Sequence, residues 1–354
     1  QTALRFAAQL PAPVRAELLA SRAYNCYLTG QIAAAIQARQ EALAIWQQLA
    51  QPLAEGDTLR WLSRLSWFAG QQAEAISYAQ AAVDVLEPLP PGPELAAAYS
   101  NYAQLCMLAE ANDEAVRWGE RAIDLATQLG ATDILAHALN NVGTAELLNA
   151  NEAGWPRLEQ SLQLSLDHDL REHVARAYTN MVSTAVTFRD YARAMHCLRA
   201  GIEYATEYEL DSWSFYMRGW LARAYFEQGQ WDDAVETAQA VLNSMDANRS
   251  ATILRLPALI ILGHLRVRRG DPGSGAVLDE AYALAQETGE FQRIGPVAWA
   301  RAEAAWLAGN SDQARREAEA GFRLAQAHPS NIWSLSELAF WLWRTGGLAE
   351  QPAH

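Results

Sequence analysis

The stretch Ala222–Leu242, ARAYFEQGQWDDAVETAQAVL, decides the fold. It reads as a helix, a turn at Gly229–Gln230, and a second helix that opens on small residues. Leu221, Tyr225 and Phe226 recur at helical spacing before the turn. Asp232 and Asp233 open the second helix, where negative charge favours the positive end of the helix dipole. The same grammar returns along the chain, with turn anchors at Gly30, Gly70, Glu110, Asn149, Arg189, Gly229, Gly270 and Gly309. Their spacings are 40, 40, 39, 40, 40, 41 and 39 residues.

Three columns of small residues keep step with the anchors. Five residues after each anchor stand Ala35, Ala75, Ala115, Gly154, Ala194, Ala234, Gly275 and Ala314. Twelve after, six of the eight are small (Ala42, Ala82, Ala122, Ser161, Gly201, Gly321), with Val241 and Tyr282 the exceptions. Seven before come Ala23, Ser63, Ala103, Val142, Val182, Ala222, Gly263 and Ala302. Small side chains at such positions let paired helices approach to about 8–10 Å. Alternating β-branched runs with Asn-Gly turns do not occur, so the reading is all-α. The hairpins fall at approximately 12–51, 52–91, 92–130, 131–170, 171–210, 211–248, 249–290 and 291–328, with a partial unit at 329–354, all in one domain. Trp333, Trp341 and Trp343 in the partial unit form an apolar stripe with little chain left to cover it. A solenoid needs a polar cap there, so the expectation is that the natural protein continues.

At 354 residues the chain exceeds what one compact core organises, about 250–300 residues, which agrees with a repeat architecture. Apolar residues make up 51% and charged residues 19%, which excludes disorder as its organising principle. The net charge of -14 repels phosphate backbones, so this segment is not expected to bind nucleic acid. All 27 basic residues are Arg, which rules out a P-loop lysine and a Schiff-base lysine. Cys26, Cys106 and Cys197 are few and far apart, as in a reducing compartment. The longest apolar run, Leu256–Leu265, is too short for a membrane span, and no secretory signal is present. A cytoplasmic protein without membrane attachment is expected. Gln1 in place of Met reads as a fragment or a processed product.

The columns match the tetratricopeptide repeat, with a period about six residues longer than the usual 34. The strings LGHLRVRRGDPG (262–273), RIGPVAWARAEAAWLAGN (293–310) and ELAFWLWRTG (337–346) resemble the tail of the sensor domain of large ATP-binding LuxR-type regulators of the STAND ATPase class, of which the maltose regulator is one. The resemblance implies a right-handed α-solenoid of tetratricopeptide-like helical hairpins, about eight repeats of roughly 40 residues plus a truncated ninth. It also implies a non-catalytic, cofactor-free sensor module that binds a peptide, protein or small effector in its concave groove. ATPase and DNA-binding modules would lie outside this chain. Alternatives are a protein–protein scaffold, and the sensor region of an ATPase-linked nucleotide cyclase.

In tetratricopeptide domains the position nine residues before the anchor faces the groove, and here it holds Asn101, Asn140 and Asn180 in consecutive repeats. An amide offers a donor and an acceptor together, so three in phase would form a ladder for an extended chain. Trp61 and Trp220 share this column. Six before the anchor stand Tyr24, Arg64, Gln104, Ser183, Arg223, His264 and Glu303, and ten before stand Arg60, Ser100, Thr179 and Trp299. Arg64 and Arg223 are candidate carboxylate or phosphate partners. Trp118, Trp155 and Trp231 lie on second helices and read as structural. His168 and His173, with Asp167, Asp169 and Glu172, lack metal-site spacing and read as a solvated loop. No nucleophile elbow of the G-x-S-x-G type occurs, and no catalytic residue is expected.

Overall fold

The first helix of each hairpin ends on the same left-handed backbone turn, and the repetition of that turn sets the period. The residue after the first helix of every hairpin adopts left-handed φ: Gly30, Gly70, Glu110, Ala150, Arg189, Gly229, Gly270 and Gly309, at +57° to +78°. The next N–H then reaches back to the carbonyl five residues earlier, as in Gln31 to Cys26 (2.8 Å), Asp190 to Ala185 (2.9 Å) and Gln230 to Tyr225 (2.9 Å). This arrangement satisfies helix-end carbonyls that would otherwise lack donors. A second series of left-handed residues, Ala50, Gly130, Asp169, Glu209 and Gly289, ends second helices between hairpins.

The computed structural model describes residues 10–248, 252–326 and 332–349. Among them, helices pair as α1 (Ala12–Leu28) with α2 (Ile32–Gln48), α3 (Pro52–Phe68) with α4 (Gln72–Leu86), and α5 (Pro93–Leu108) with α6 (Asn112–Leu129). The next pairs are α7 (Thr132–Leu148) with α8 (Gly154–Asp167), α9 (Arg171–Thr187) with α10 (Tyr191–Glu207), and α11 (Asp211–Glu227) with α12 (Trp231–Asn248). Last come α13 (Leu256–Arg269) with α14 (Ser274–Thr288), α15 (Phe291–Leu307) with α16 (Ser311–Ala325), and α17 (Ile332–Arg344). No strand occurs among the described residues. The architecture is an α-solenoid of tetratricopeptide-like hairpins.

The chain divides into two compact units, one of residues 1–107 with 113–142, the other of 108–112 with 143–354. Leu62, Leu65 and Leu86 lie fully inside the first; Leu158, Leu198, Met217, Leu259, Leu265 and Leu338 lie fully inside the second. In the second unit successive first helices pack directly on each other: α9 on α11, α11 on α13, α13 on α15, α15 on α17. They form one continuous layer.

The column seven before the anchor is buried in all eight repeats. At the α7–α8 crossing two glycines meet: a Cβ on Gly143 would lie 2.8 Å from the Gly154 carbonyl oxygen, and a Cβ on Gly154 would strike the Gly143 carbonyl. Gly201 of α10 is wedged between α9 and α11, its missing Cβ 2.7 Å from both Tyr178 Cβ and Met217 Sδ.

Three sequence expectations are corrected. The fourth anchor is Ala150, not Asn149, so the period there is 40 and then 39. An alanine in left-handed conformation carries no sequence mark. Gly275 is exposed with nothing within 4 Å of a Cβ, because the α13–α14 turn advances the second helix by one residue. Leu278 consequently fills the space over Gly263, its Cδ2 2.5 Å from where a Cβ would stand, and Ala281 takes the next buried position. Finally, the tryptophan stripe is partly covered. Trp341 is buried against Trp306, 5.6 Å between rings, while Trp343 is half-buried.

Gly154→Ala should destabilise the protein by about 3 kcal/mol through overpacking against a backbone oxygen. Ala150→Gly should stabilise it by about 0.5–1 kcal/mol by relieving left-handed strain. Urea unfolding monitored by helical circular dichroism reads both signs.

Candidate functional site

The candidate residues fall into two groups, one in each unit. In the first unit Trp61 of α3 is the centre. Guanidinium carbons of Arg39, Arg60 and Arg64 lie 5.1, 5.3 and 5.8 Å from its ring centroid, and Tyr24 meets it edge-on at 5.7 Å. Arg60 is held by Asp57 in the turn below it, at 2.6 and 3.1 Å. Arg64 donates to the Tyr27 hydroxyl at 2.9 Å. Arg39 is buried, and that burial, opposed by Asp57, lowers its pKa to about 10. Gln104 of α5 is half-buried.

The asparagine column is used largely inside the stack. Asn101 is buried and donates its amide to Ser63 Oγ of α3 at 2.9 Å. With the fourth anchor at Ala150, the counterpart of Asn101 is Asn141 rather than Asn140. Asn141 likewise reaches back to the preceding first helix, donating to the Ser100 carbonyl at 3.1 Å. Asn140 is also buried, at 1% exposure. The Asn101 and Asn141 amides tie consecutive first helices together. Asn180 is half-buried, and its backbone carbonyl accepts from Ser183 Oγ at 3.2 Å.

In the second unit the layer of first helices carries a lattice of charge. Arg223 donates to Glu227 at 2.8 Å, and the Tyr191 hydroxyl donates to the other oxygen of the same carboxylate, also at 2.8 Å. Arg268 of α13 grips Glu303 of α15 with two bonds, 2.6 and 3.0 Å. Arg189, in the α9–α10 turn, lies 3.7 Å from Glu337 and 4.1 Å from the ring centroid of Trp333, both on α17. Trp220, half-buried, has the Arg223 guanidinium 5.1 Å from its ring and, among the described residues, no acceptor for its buried indole N–H. His264 is fully enclosed between Phe226 (stacked, 5.5 Å) and Trp299 (edge-on, 4.3 Å), its Nε2 3.6 Å from Glu303.

Burial in this lattice moves two groups in informative directions. It lowers His264 to about 3, with the positive fields of Arg268 and Arg223 adding to the effect. The charge of Glu303 is already matched by Arg268, so it does not hold a proton on the ring. The Glu337 carboxyl is pushed up, by burial first and then by the fields of Glu303 and Glu227, against Arg189 and Arg268.

Sequence reasoning reached Arg223, Trp220, His264 and Glu303 through the columns. It missed Arg189 as a side chain, Glu227, Arg268 and Glu337. The one available signal was Arg189 itself, an arginine at a turn position that five of the eight hairpins give to glycine.

Elsewhere, a cleft of about 710 Å³ lies between α10 and α11, with Met195, Leu198, Ile202, Leu221 and Tyr225 as its apolar lining. Among the described residues no three His, Cys, Asp or Glu side chains gather as metal ligands. His168 Nδ1 lies 3.0 Å from the Leu164 carbonyl, and Asp169 pairs with Arg171. No described helix is long and apolar enough to cross a membrane.

No protein-family model matches the chain, and no curated protein matches it in sequence. Solved structures do. A Rap protein complexed with Competence and Sporulation Factor superposes with a TM-score of 0.63 at 15% identity, covering 79% of this chain and 78% of that one. NprR in complex with its cognate peptide NprX gives 0.52 at 12% identity, covering 82% and 84%. The tetratricopeptide-repeat sensor protein of the STAND class from Pyrococcus horikoshii gives 0.47 at 14% identity, covering 76% of this chain and 40% of that one. The first two establish the class of fold, a tetratricopeptide-like helical repeat.

Because His264 is neutral in the folded chain and binds a proton near pH 6.5 when unfolded, the unfolded state holds more protons between those values. Stability should therefore fall as pH drops below about 6.5 toward about 3, by up to about 1.4 kcal/mol per unit from this group. His264→Phe should remove that contribution; urea midpoints of the two proteins compared from pH 7 to 4 read the change in slope.

Proposed function

We propose that this chain is the sensing module of a larger signal-responsive bacterial regulator, and that it takes a peptide or a protein segment on the face of its first helices. The observation that carries this reading is the continuous layer α9–α11–α13–α15–α17, on which aromatic and ionised side chains from successive repeats stand side by side. A layer of this kind offers an extended ligand the same chemistry at each step, so contacts add along its length. The fold it shares with a Rap protein bound to Competence and Sporulation Factor, and with NprR bound to its cognate peptide, supports the same use.

The ligand-facing set in this reading is Arg60, Trp61, Arg64 and Gln104 in the first unit, with Asn180, Ser183, Trp220 and Arg223 in the second. Asn101 acts instead from within, holding first helices in step as Asn141 does one repeat later, and Asn140 lies buried beside it. Tryptophan and arginine dominate such surfaces because they combine large rigid contact area with directed hydrogen bonds. In this reading the chain works by binding rather than by catalysis. ATPase and DNA-binding modules, the attachments expected of a transcription regulator of this type, would supply the output. Ligand preference for one arrangement of the stack over another would bias them.

Selection of random dodecapeptides on the purified chain should yield binders that quench its tryptophan fluorescence saturably. Trp220→Ala or Arg223→Ala should weaken those binders about tenfold, close to 1.4 kcal/mol. If no peptide is enriched, or the binders ignore both variants and Trp61→Ala, the reading is wrong.

A further inference from the structure

The charge lattice of the second unit is unequally satisfied. Glu227 accepts two hydrogen bonds, from Arg223 and Tyr191, and Glu303 accepts two from Arg268. Glu337 accepts none among the described residues; its closest cation is Arg189, at 3.7 Å. Burial first, and then the fields of Glu303 and Glu227, push its carboxyl up, against Arg189 and Arg268. His264 is a second unsatisfied group in the same place. It is 0% exposed, neither ring nitrogen has a hydrogen-bond partner among the described residues, and Nε2 lies 3.6 Å from Glu303. Three carboxylates thus share one region, and the third is without a close donor.

Access and a binding surface are both present. The Glu337 side chain is 35% exposed and that of Arg189 48%, so solvent reaches the pair. The Trp333 ring already carries one guanidinium, with Arg189 4.1 Å from its centroid. A cation over an indole face is attracted by the ring quadrupole, and a carboxylate beside it adds charge-assisted hydrogen bonds. Arg189 is also an arginine in left-handed conformation (φ +60°), at a turn position most hairpins give to glycine. Its hold on α17 is a loose contact from a strained residue.

We infer that Glu337 and Trp333 form a receiving point for a single cationic group of the ligand, a guanidinium or ammonium that displaces Arg189. The inference rests on the reading of the chain as a peptide-binding module and names the ligand chemistry at one position. Arg189 acts in the empty protein as an internal stand-in for that group. The overall charge of -14 favours approach of such a ligand. Displacement also frees the α9–α10 turn from α17, so occupancy is coupled to the contact that joins these two parts of the second unit.

The probes are acetylated, amidated Gly-Ser nonapeptides with one central arginine, one central lysine or one central citrulline, and a fourth whose only charge is a free N-terminus. Binding is followed through the Trp333 indole resonance, assigned with Trp333→Phe. We expect the arginine peptide to shift that resonance saturably and the citrulline peptide to leave it unmoved. The lysine and free-amine peptides show which cation source is preferred. Glu337→Gln should weaken the response about tenfold, whereas Arg189→Gln should strengthen it several-fold by removing the competitor. A purely structural role for the pair would make both variants act in the same direction. The inference is overturned if citrulline matches arginine, if no cationic probe moves Trp333, or if Arg189→Gln weakens binding. Selected dodecapeptides that bind Trp220-dependently yet ignore Glu337→Gln would leave the sensing function standing and remove this site alone.

Discussion

Two helices of a hairpin lie close enough to share a stack only where their backbones meet over a hydrogen, a methyl or a hydroxymethyl group. The Gly143–Gly154 contact is the limiting case, in which each carbonyl occupies the space a neighbouring side chain would need. Elsewhere alanines do the work: Ala35, Ala75, Ala115, Ala194, Ala234 and Ala314 have no exposed surface at all. Because helix separation sets where the next hairpin can sit, this constraint fixes, within each unit, the position of a first helix relative to the one before. The face on which binding is proposed is a product of it. Bulky residues are placed beside the crossings, as with Leu62, Leu65 and Leu198, where they fill the space the small ones leave.

The first helices have a second task that the crossings alone do not fulfil. They must be held in lengthwise register, and buried polar groups do this. Asn101 to Ser63 and Asn141 to the Ser100 carbonyl are amide links one repeat long. Further along, Arg268 of α13 to Glu303 of α15 is a link of the same reach but of ionic kind, and Tyr191 at the start of α10 reaches Glu227 at the end of the next first helix, α11. Directed bonds resist sliding in a way that apolar contact does not, since a displaced buried partner leaves a desolvated group unpaired. In the first unit Arg64 to Tyr27 is likewise a charge-assisted link between consecutive first helices.

Helices, hairpins and their period were legible in the sequence because small residues at crossings and glycines at caps are rare enough to stand out when they recur. The reading slipped by one where that mark is missing, at Ala150, and where a turn changed length, ahead of Gly275. The slip at Ala150 had a consequence for the site, since it put Asn140 into the asparagine column in place of Asn141, the amide that bonds back to the preceding first helix. Pairs one repeat apart share a column of the sequence, as His264 and Glu303 do. The Arg189–Glu337 contact could not. No local pattern relates a turn to a helix four hairpins later; only the curvature of the stack in that unit brings them together.

The α13–α14 turn bears on how such an array changes over time. Its altered length advances α14 by one position, yet α15 and α16 return to the common pattern, with Ala302, Ala314 and Ala318 again fully enclosed. The misfit is absorbed locally by an exchange of bulk, Leu278 seated over Gly263, and is not passed on. Each hairpin is therefore an insulated segment: a gained or lost residue in one loop is healed by repacking a single pair of helices. Loops and the surfaces they carry are free to diversify while the spacing of the array persists.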